Sequence, residues 1–344
     1  MTSGEDAGSR AYRSSGVDLM AAARAVDLIR DVADGAVTPN VISGVGGFAG
    51  LYRLPDGRVL AAATDGVGTK LEVARLAGRF DTVGIDLVAM SANDVVCTGA
   101  APILFLDYLA VAKVVPEEVA AIVAGVAEGC RRADCALLGG ETAEHPGTLE
   151  AGRFDLAGFC VGLAAEEELF DPGNVRPGDA ILGLRSSGLH ANGFSLVRST
   201  LLGDPTRLNE HVPQLGRTLA DELLEPTAIY VRTVVALRRE GLVRAAAHIT
   251  GGGFQENIPR ALPAGLGAEI DPTSWIPQAI FELVADAAGL TAQDLFPILN
   301  MGIGMALVVA SDRANDAVDA ARDLGHEAVI IGQVVGGPGV RLIG

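Results

Sequence analysis

Residues 64–70 read TDGVGTK and lie between a run that favours a strand and a run that favours a helix. Gly66 and Gly68 allow successive backbone N–H groups to face an anion, and the start of the helix adds a positive dipole. Lys70 supplies a cation beside them, and Asp65 at the strand end is placed to hold a divalent metal. The spacing does not fit the GxxxxGK[ST] pattern, so this is not a Walker-type phosphate loop. Taken alone, the stretch is equally compatible with a tight turn that exposes a lysine.

The segments around this stretch alternate between strand and helix patterns. Residues 49–54 and 58–64 form two strand-like runs, and Pro55-Asp56-Gly57 between them is a hairpin signal. Apolar residues recur at helical spacing over residues 17–33. The other elements predicted in this half are helices at 69–77, 81–98 and 116–132, and strands at 103–111, 136–138 and 156–163.

Two prolines and two glycines within residues 171–178 make this segment the best candidate for a linker. We therefore divide the chain into a small, polar and mobile arm at 1–15, a domain at 16–170 and a domain at 171–344. The second domain is predicted to contain strands at 180–184, 267–270, 304–309 and 328–334, and helices at 193–202, 226–239 and 313–324.

The predicted fold class is α+β, with two α/β domains. Strands are too often adjacent in sequence for a doubly wound sheet, so mixed or antiparallel sheets are expected. An exposed sheet face in such a domain needs a partner surface, and we therefore expect a symmetric homodimer.

Composition excludes several classes of function. The formal net charge is −17, and no basic stripe exists to neutralise a phosphate backbone, so nucleic-acid binding is not expected. No apolar run approaches the roughly 18 residues of a membrane-spanning helix, and the N-terminus lacks an apolar signal core. The four cysteines form no CxxC pair, so they favour neither a zinc site nor a redox motif. These features predict a soluble protein of a reducing compartment, the cytoplasm.

Two further acidic residues favour a metal site beside the glycine stretch. Asp94 lies in an otherwise apolar helical run, where a carboxylate is costly unless it is exposed, paired or metal-bound. Glu141 follows the short run at 136–138, close to a strand end. Together with Asp65, these oxygen donors suit Mg²⁺ that bridges nucleotide phosphates. Each of them singly is more often a helix cap or a surface charge.

Three other glycine-rich segments are candidate ligand loops. Gly46 and Gly47 belong to residues 44–50, which precede a strand and therefore make a poor dinucleotide fingerprint. That segment is either a loop that covers a ligand or a bulged strand entry. Residues 186–193 offer hydroxyls, an imidazole and free N–H groups before a helix, and residues 251–253 are consecutive glycines that can form a nest for a phosphate. The structural alternatives are a capped turn and a hinge.

Nine short motifs occur in a fixed order between about residue 12 and residue 332. They are GVGGFAG, TDGVGTK, GIDLVAMSANDVV, LDYLA, GGETAE, AGFCVG, SSGLHANGFSLVR, HITGGGFQENIPR and NMGIGM. Each is short, but the ordered series is specific. It resembles the aminoimidazole ribonucleotide synthetase family, the phosphoribosylformylglycinamidine cyclo-ligases of purine biosynthesis. The resemblance implies that ATP phosphorylates the formyl amide oxygen of formylglycinamidine ribonucleotide, after which a neighbouring nitrogen closes the imidazole ring and phosphate and ADP are released.

The resemblance also implies a two-domain subunit whose N-terminal sheet forms a barrel across a dimer interface, with ATP bound nearby. It assigns Mg²⁺ to Asp65, Asp94 and Glu141. ATP would be bound by Gly46, Gly47, Asp65, Gly66, Gly68, Thr69 and Lys70. The substrate would be bound by Ser187, His190, Asn192, Gly251, Gly252 and Gly253. Lys70, Asp94 and His190 are the residues expected to take part in catalysis, and a general-acid or charge-stabilising role for His190 is a hypothesis.

Two alternatives remain. One is another ATP-dependent enzyme of the same superfamily, such as selenophosphate synthetase, although that enzyme uses a cysteine near an N-terminal glycine loop and residues 1–96 here contain none. The other is a nucleotide-binding protein without activity. The acidic residues argue against the second alternative, because binding alone does not need metal-holding carboxylates.

Overall fold

The computed structural model of the protein describes residues 7–344, except for the side chain of Leu19. The first half contains, in chain order, α1 (Ala7–Ser14), α2 (Leu19–Ala33), β1 (Val41–Ser43), β2 (Gly50–Arg53), β3 (Arg58–Gly66), α3 (Lys70–Ala77), α4 (Val83–Val96), β4 (Ala101–Val111), α5 (Pro116–Arg132), β5 (Ala136–Glu144) and β6 (Phe154–Ala165). The six strands form one mixed sheet in the order β1-β2-β3-β6-β4-β5, in which only the β4–β5 pair is parallel.

Helix α4 covers the inner face of this sheet. Its sequence is predominantly apolar, and nearly all its residues are buried, as is typical of a helix packed on all sides. Helix α5 packs closely on α4, because a Cβ on Gly84 would lie 2.2 Å from the carbonyl oxygen of Ile122. No helix among the described residues of this domain covers the opposite, outer face of the sheet, and β5 is exposed along most of its length. The sheet does not close on itself, and the barrel predicted from the sheets of two subunits stays a prediction.

The second half forms another six-stranded sheet. Its elements are β7 (Ala180–Arg185), α6 (Phe194–Leu201), β8 (His211–Val212), β9 (Arg217–Thr218), α7 (Leu219–Leu223), α8 (Val231–Arg239), β10 (Val243–His248), α9 (Gly253–Asn257), β11 (Leu266–Ile270), α10 (Ala279–Ala288), α11 (Ala292–Leu295), β12 (Ile303–Val309), α12 (Ala314–Asp323), β13 (Ala328–Gly336) and β14 (Gly339–Leu342). The sheet order is β10-β12-β7-β13-β11-β14, with β11 and β14 parallel. The fold is therefore mixed α+β with two domains, and the predicted boundary lies between the end of β6 and the start of β7.

The predicted helix at 226–239 begins only at Val231. Residues 226–230 do not join the helix because side chains of α4 bind their backbone groups. Asp86 accepts the N–H of Thr227 at 2.8 Å, and Asn93 accepts the N–H of Tyr230 at 2.9 Å. Strand β10, which is largely buried, and helix α10, which buries one apolar face, were not predicted.

The N-terminal segment is more ordered than predicted. Of the arm expected at 1–15, residues 7–14 form α1, and the side chain of Tyr12 is buried. The first six residues lie outside the described part of the chain. Helix α2 exposes several apolar side chains, among them Met20 and Val32, which are 74% and 79% exposed. Among residues 7–344, no helix is both long and apolar enough to cross a membrane.

Candidate active site

Two carboxylates meet where β3 ends and α4 approaches it. Asp65 is the next-to-last residue of β3 and accepts the N–H of Gly66 at 2.7 Å, while Asp94 lies in the last turn of α4. Burial raises the pKa of Asp65 to about 6, and the negative charge of Asp94 adds to that rise. The glycine stretch therefore begins with a half-buried carboxylate that is repelled by a second one.

Asp94 is oriented by a buried hydrogen-bonded chain. The Oδ1 atom of Asn93 accepts the N–H of Tyr230, so its Nδ2 atom is free to donate to the carbonyl of Ala228 at 2.9 Å and to Nε2 of His248 at 3.3 Å. Because Nε2 of His248 accepts, its Nδ1 carries the proton and donates to Oδ1 of Asp94 at 2.9 Å. The second oxygen of Asp94 is left for a ligand.

Asp65 and Asp94 fit a Mg²⁺ site, and Glu141 does not join them. Across the sheet, Glu141 is paired with Tyr108, Ala157 and Gly66, whereas Asp65 is paired with Gly158, Asp107 and Gly140. Because neighbouring residues of a strand point to opposite faces, Glu141 lies on the exposed outer face and Asp65 on the inner one. Three strand spacings separate β3 from β5, or about 14 Å. Among residues 7–344, no group of three or more acidic, histidine or cysteine side chains could hold a metal ion. Two carboxylates completed by water and phosphate oxygens are nevertheless a usual Mg²⁺ arrangement.

Arg260 of the second domain binds the 44–50 loop of the first domain. Its Nη2 donates to the carbonyl of Gly47 at 2.6 Å, and its guanidinium lies 3.8 Å from the centroid of the Phe48 ring. Its Nη1 also donates to Asn257 at 3.1 Å. Arg260 therefore links Gly47 to Asn257, which also binds the carbonyls of Gly251 and Gly253.

The 251–253 glycines form a turn whose carbonyls are tied down by Asn257. Nδ2 of Asn257 donates to the carbonyls of Gly251 and Gly253 at 3.1 and 2.8 Å. Gly253 has φ +57°, and a Cβ there would lie 1.7 Å from the carbonyl oxygen of Phe296, so only glycine fits. Asn192 faces this turn, since its Oδ1 would lie 3.6 Å from a Cβ on Gly251.

Lys70 is buried at the contact between the two domains. Its side chain is wholly buried, and its ammonium donates to Asp86 at 3.0 Å, to the carbonyl of His190 at 3.0 Å and to the carbonyl of Glu225 at 2.7 Å. Burial lowers the pKa of Lys70 and raises the pKa of Asp86, and their ion pair opposes both shifts. All three N–H donors of Lys70 are used in these contacts, so in this conformation its ammonium has no donor left for a nucleotide phosphate.

His190 is buried at the same contact between the domains. It has φ +62°, and its Nε2 accepts the backbone N–H groups of Ser187 at 3.2 Å and Ala228 at 3.4 Å. The proton is therefore on Nδ1, which is buried without a hydrogen-bond partner in the described chain. Burial holds the pKa of His190 well below its usual value, so the ring is neutral near pH 7 and does not supply a positive charge. Ser187 fixes the same loop by donating to the carbonyl of Pro226 at 2.6 Å.

A cleft of about 290 Å³ adjoins the glycine stretch. It is lined by Gly68 and Thr69 and by three arginines, Arg75, Arg153 and Arg198. Thr69 also contacts Ser195 at the start of α6, with 3.3 Å between their hydroxyl oxygens. Another cleft, of about 660 Å³, lies at the other end of β10, near Val243, and shares no residue with the first.

Comparisons with known proteins identify the family of this chain. Residues 46–164 match the N-terminal domain model of AIR synthase related proteins, and residues 176–344 match the C-terminal domain model. The phosphoribosylformylglycinamidine cyclo-ligase of Shouchella clausii is 49% identical over 331 residues, which are 95% of this chain and 96% of that protein. The chain belongs to the phosphoribosylformylglycinamidine cyclo-ligase family. The family member from Brevibacillus brevis is 47% identical over 334 residues, or 96% of each chain.

The fold is shared beyond the cyclo-ligase family. A solved structure of AaThiL complexed with AMPPCP and TMP superposes with a TM-score of 0.64 at 17% identity and covers 92% of each chain. At this identity the likeness concerns the fold alone.

The cyclo-ligase motifs therefore divide into a front group and a back group. The front group comprises Gly46, Gly47, Asp65, Gly66, Gly68, Thr69, Asp94, Asn192, Gly251, Gly252 and Gly253, of which Gly68 and Thr69 line the cleft of about 290 Å³. The back group lies at the domain boundary and comprises Lys70 and His190, which are buried, and Ser187, which is half-buried, while Glu141 belongs to neither group.

Four residues of these networks were not predicted as site residues: Asp86, Thr227, His248 and Arg260. Asp86 had a signal, because it is a carboxylate in the same apolar helical run that drew attention to Asp94. His248 had one too, since it adjoins the 251–253 glycines. The roles of Thr227 and Arg260 depend on contacts between the two domains, which no local pattern reveals.

Proposed function

We propose that the protein uses ATP to close the imidazole ring of formylglycinamidine ribonucleotide, releasing 5-aminoimidazole ribonucleotide, ADP and phosphate. The observation that carries this proposal is the near-full-length identity of 49% to a cyclo-ligase. The paired carboxylates Asp65 and Asp94 support it, because a metal-bound nucleotide phosphate needs such oxygen donors. We also propose that the reaction takes place in the cytoplasm, in keeping with four cysteines that are all free.

The reaction has two steps. The formyl amide oxygen attacks the γ-phosphorus of ATP, and the bond to the β-phosphate oxygen breaks to give ADP. The neighbouring nitrogen then attacks the activated carbon, the carbon–oxygen bond to phosphate breaks, and a proton leaves the nitrogen. Mg²⁺, when bound, neutralises charge on the phosphate oxygens. Catalysis in such a transfer rests mainly on position and electrostatics, which the two sets of loops supply.

The front group supplies the binding contacts in this proposal. Asp65 and Asp94 hold Mg²⁺. Gly66, Gly68 and Thr69 offer backbone groups to the nucleotide phosphates, and Gly46 and Gly47 cover them. Gly251–Gly253 hold the ribose phosphate of the substrate, with Asn192 beside it. Lys70, Ser187 and His190 act through the position of their loops rather than by contact with the phosphates.

A homodimer completes the proposal. The outer face of the first sheet exposes Ile103 (44%), Leu138 (65%) and Phe159 (41%), which is unusual for a surface that meets only water. The same face of a second copy is the apolar partner that a symmetric contact supplies, and two such faces together form a barrel-like interface. Light scattering coupled to size exclusion tests this: a dimer of wild type that Phe159→Asp converts to monomer supports the proposal, and a monomeric wild type contradicts it.

The direct test of function measures two products in parallel. Purified protein is incubated with MgATP and formylglycinamidine ribonucleotide, ADP is followed by a coupled assay, and the aminoimidazole is followed by diazotisation. Equal amounts of both products support the proposal, and Asp94→Asn should abolish both. ATP hydrolysis without imidazole would assign the protein to another reaction of the superfamily. Nucleotide binding without ADP release would instead indicate a protein without activity.

A further inference from the structure

The ammonium of Lys70 joins the nucleotide side of the cleft to the substrate side. Lys70 is the first residue of α3 and directly follows the 64–69 loop. Its donors end on Asp86 of α4 and on the carbonyls of His190 and Glu225 in the second domain. We name these four residues, together with Thr227, the Lys70 clamp.

The two charged side chains of the Lys70 clamp are inaccessible to solvent. Both Lys70 and Asp86 are 0% exposed, and Asp86 also accepts the N–H and the hydroxyl of Thr227 at 2.8 and 2.6 Å. A buried ion pair adds little net stability compared with an apolar pair of the same volume. Stability alone therefore does not account for a charged group at this position.

The Lys70 clamp fixes the backbone of His190. A φ of +62° is uncommon for a residue other than glycine and persists only where the surroundings fix it. Here its carbonyl is bound by Lys70, and its ring accepts N–H groups from Ser187 and Ala228. The backbone of the 186–193 loop is thus fixed from the nucleotide side through one ammonium group.

We propose that the Lys70 clamp couples nucleotide binding at the 64–69 loop to the conformation of the 186–193 substrate loop. The role follows from geometry: Lys70 is buried with all its donors used, so movement of the residues before it either carries the His190 carbonyl along or breaks a buried hydrogen bond. A ligand on either loop therefore favours the same arrangement of both. The assignment of the two loops to nucleotide and substrate rests on the proposed function, and Lys70 acts in it as a positioning residue.

Hydrogen exchange followed by mass spectrometry tests the clamp without any turnover. The probe is AMPPCP with Mg²⁺, added to the full-length protein. In wild type, we expect AMPPCP to slow exchange in peptides that cover residues 186–193 as well as in those that cover 64–69. In Lys70→Met, protection should remain at 64–69 and be lost at 186–193. Wild type without protection at 186–193, or Lys70→Met that retains it, would overturn the proposal.

Two further variants keep the result interpretable. Thr227→Val removes one hydrogen bond to Asp86 without leaving a charge unpaired, so it serves if Lys70→Met does not fold, and it should reduce the protection at 186–193. Asp179→Asn is the matched control, because it breaks the Arg244–Asp179 ion pair within the second domain and should leave that protection unchanged.

Calorimetry gives an independent, quantitative readout. The Kd of AMPPCP is measured with and without formylglycinamidine ribonucleotide, and their ratio is the coupling factor. We expect a factor of at least about 5 in wild type and less than about 2 in Lys70→Met, since couplings between sites commonly span roughly 5–150-fold. If wild type shows exchange protection but forms no imidazole product, the proposed function fails while the clamp stands.

Discussion

Arg260 and Phe48 stack on each other across the domain boundary, with 3.8 Å between the guanidinium and the ring centroid. Because Arg260 also donates to the carbonyl of Gly47, one side chain of the second domain fixes the conformation of a loop of the first. The 44–50 loop is thereby fixed to the second domain.

Arg260→Ala should weaken ligand binding more than it affects folding. The variant loses the stacking contact and a charge-assisted hydrogen bond, together worth about 2–3 kcal/mol where water is excluded. We expect the KM for ATP to rise by roughly 10–100-fold with a smaller change in kcat. Arg260→Lys keeps the charge but loses the planar group, so its KM for ATP should lie between that of wild type and that of Arg260→Ala. An unchanged KM in Arg260→Ala would show that the loop does not contribute to binding.

Asp65→Asn and Asp94→Asn should abolish stabilisation by Mg²⁺. A ligand that binds only the folded state raises its stability by mass action, so millimolar MgADP should raise the Tm of wild type and not that of either variant. Glu141→Gln is the matched control, because Glu141 lies on the other face of the sheet and should leave the Mg²⁺ response intact. Loss of the response in Glu141→Gln would return Glu141 to the metal site.

Gly253→Ala should be strongly destabilising. The new Cβ would meet the carbonyl of Phe296 at 1.7 Å, and the backbone would have to keep φ +57°. We expect a loss of at least about 3 kcal/mol in the free energy of unfolding, measured by urea titration. Gly216→Ala has a similar φ of +68° but no atom within 4 Å, so it should cost only about 1 kcal/mol. Equal losses in both variants would mean that the contact with Phe296 relaxes without cost.

The stability of the protein should fall below pH 6.5 in part because of His190. Its folded pKa lies well below the usual 6.5 because the ring is buried, so the unfolded chain binds an extra proton there as the pH falls. That contribution to stability is complete above pH 6.5 and decreases by up to about 1.4 kcal/mol per unit below it. His190→Gln lacks this group. The stability difference between wild type and His190→Gln should therefore shrink from pH 7.5 to pH 5.5, and a constant difference would contradict the prediction.

The sequence predicted the local elements of the site well and its long-range contacts poorly. The strand–loop–helix around residues 64–70 follows from patterns within one segment, and helix α5 occurs at the predicted residues 116–132. Asp94 was singled out because a carboxylate in an apolar helix needs a partner, and the structure supplies His248. The phosphate contact of Lys70 could not be judged in the same way, because its partners lie 120 and 155 residues further along the chain.

Glu141 shows a second reason for the difference. It follows a strand-like run, as Asp65 does, and spacing alone places both near strand ends. Which face of the sheet each one occupies depends on the register of β4, β5 and β6, and a shift of one residue reverses the face. That register is set by pairing across the sheet, so no single segment encodes it.

The non-helical segment before α8 also bears on how the chain folds. Residues 226–230 give their backbone groups to Asp86 and Asn93, so separating the halves would take from Lys70, Asp86 and Asn93 the hydrogen-bond partners that the second domain supplies. Each exposed or unpaired group would cost free energy that neither half recovers alone. The two sheets are therefore parts of a single cooperative unit, in which the N-terminal half emerges from the ribosome before the segment that completes its interior has been synthesised.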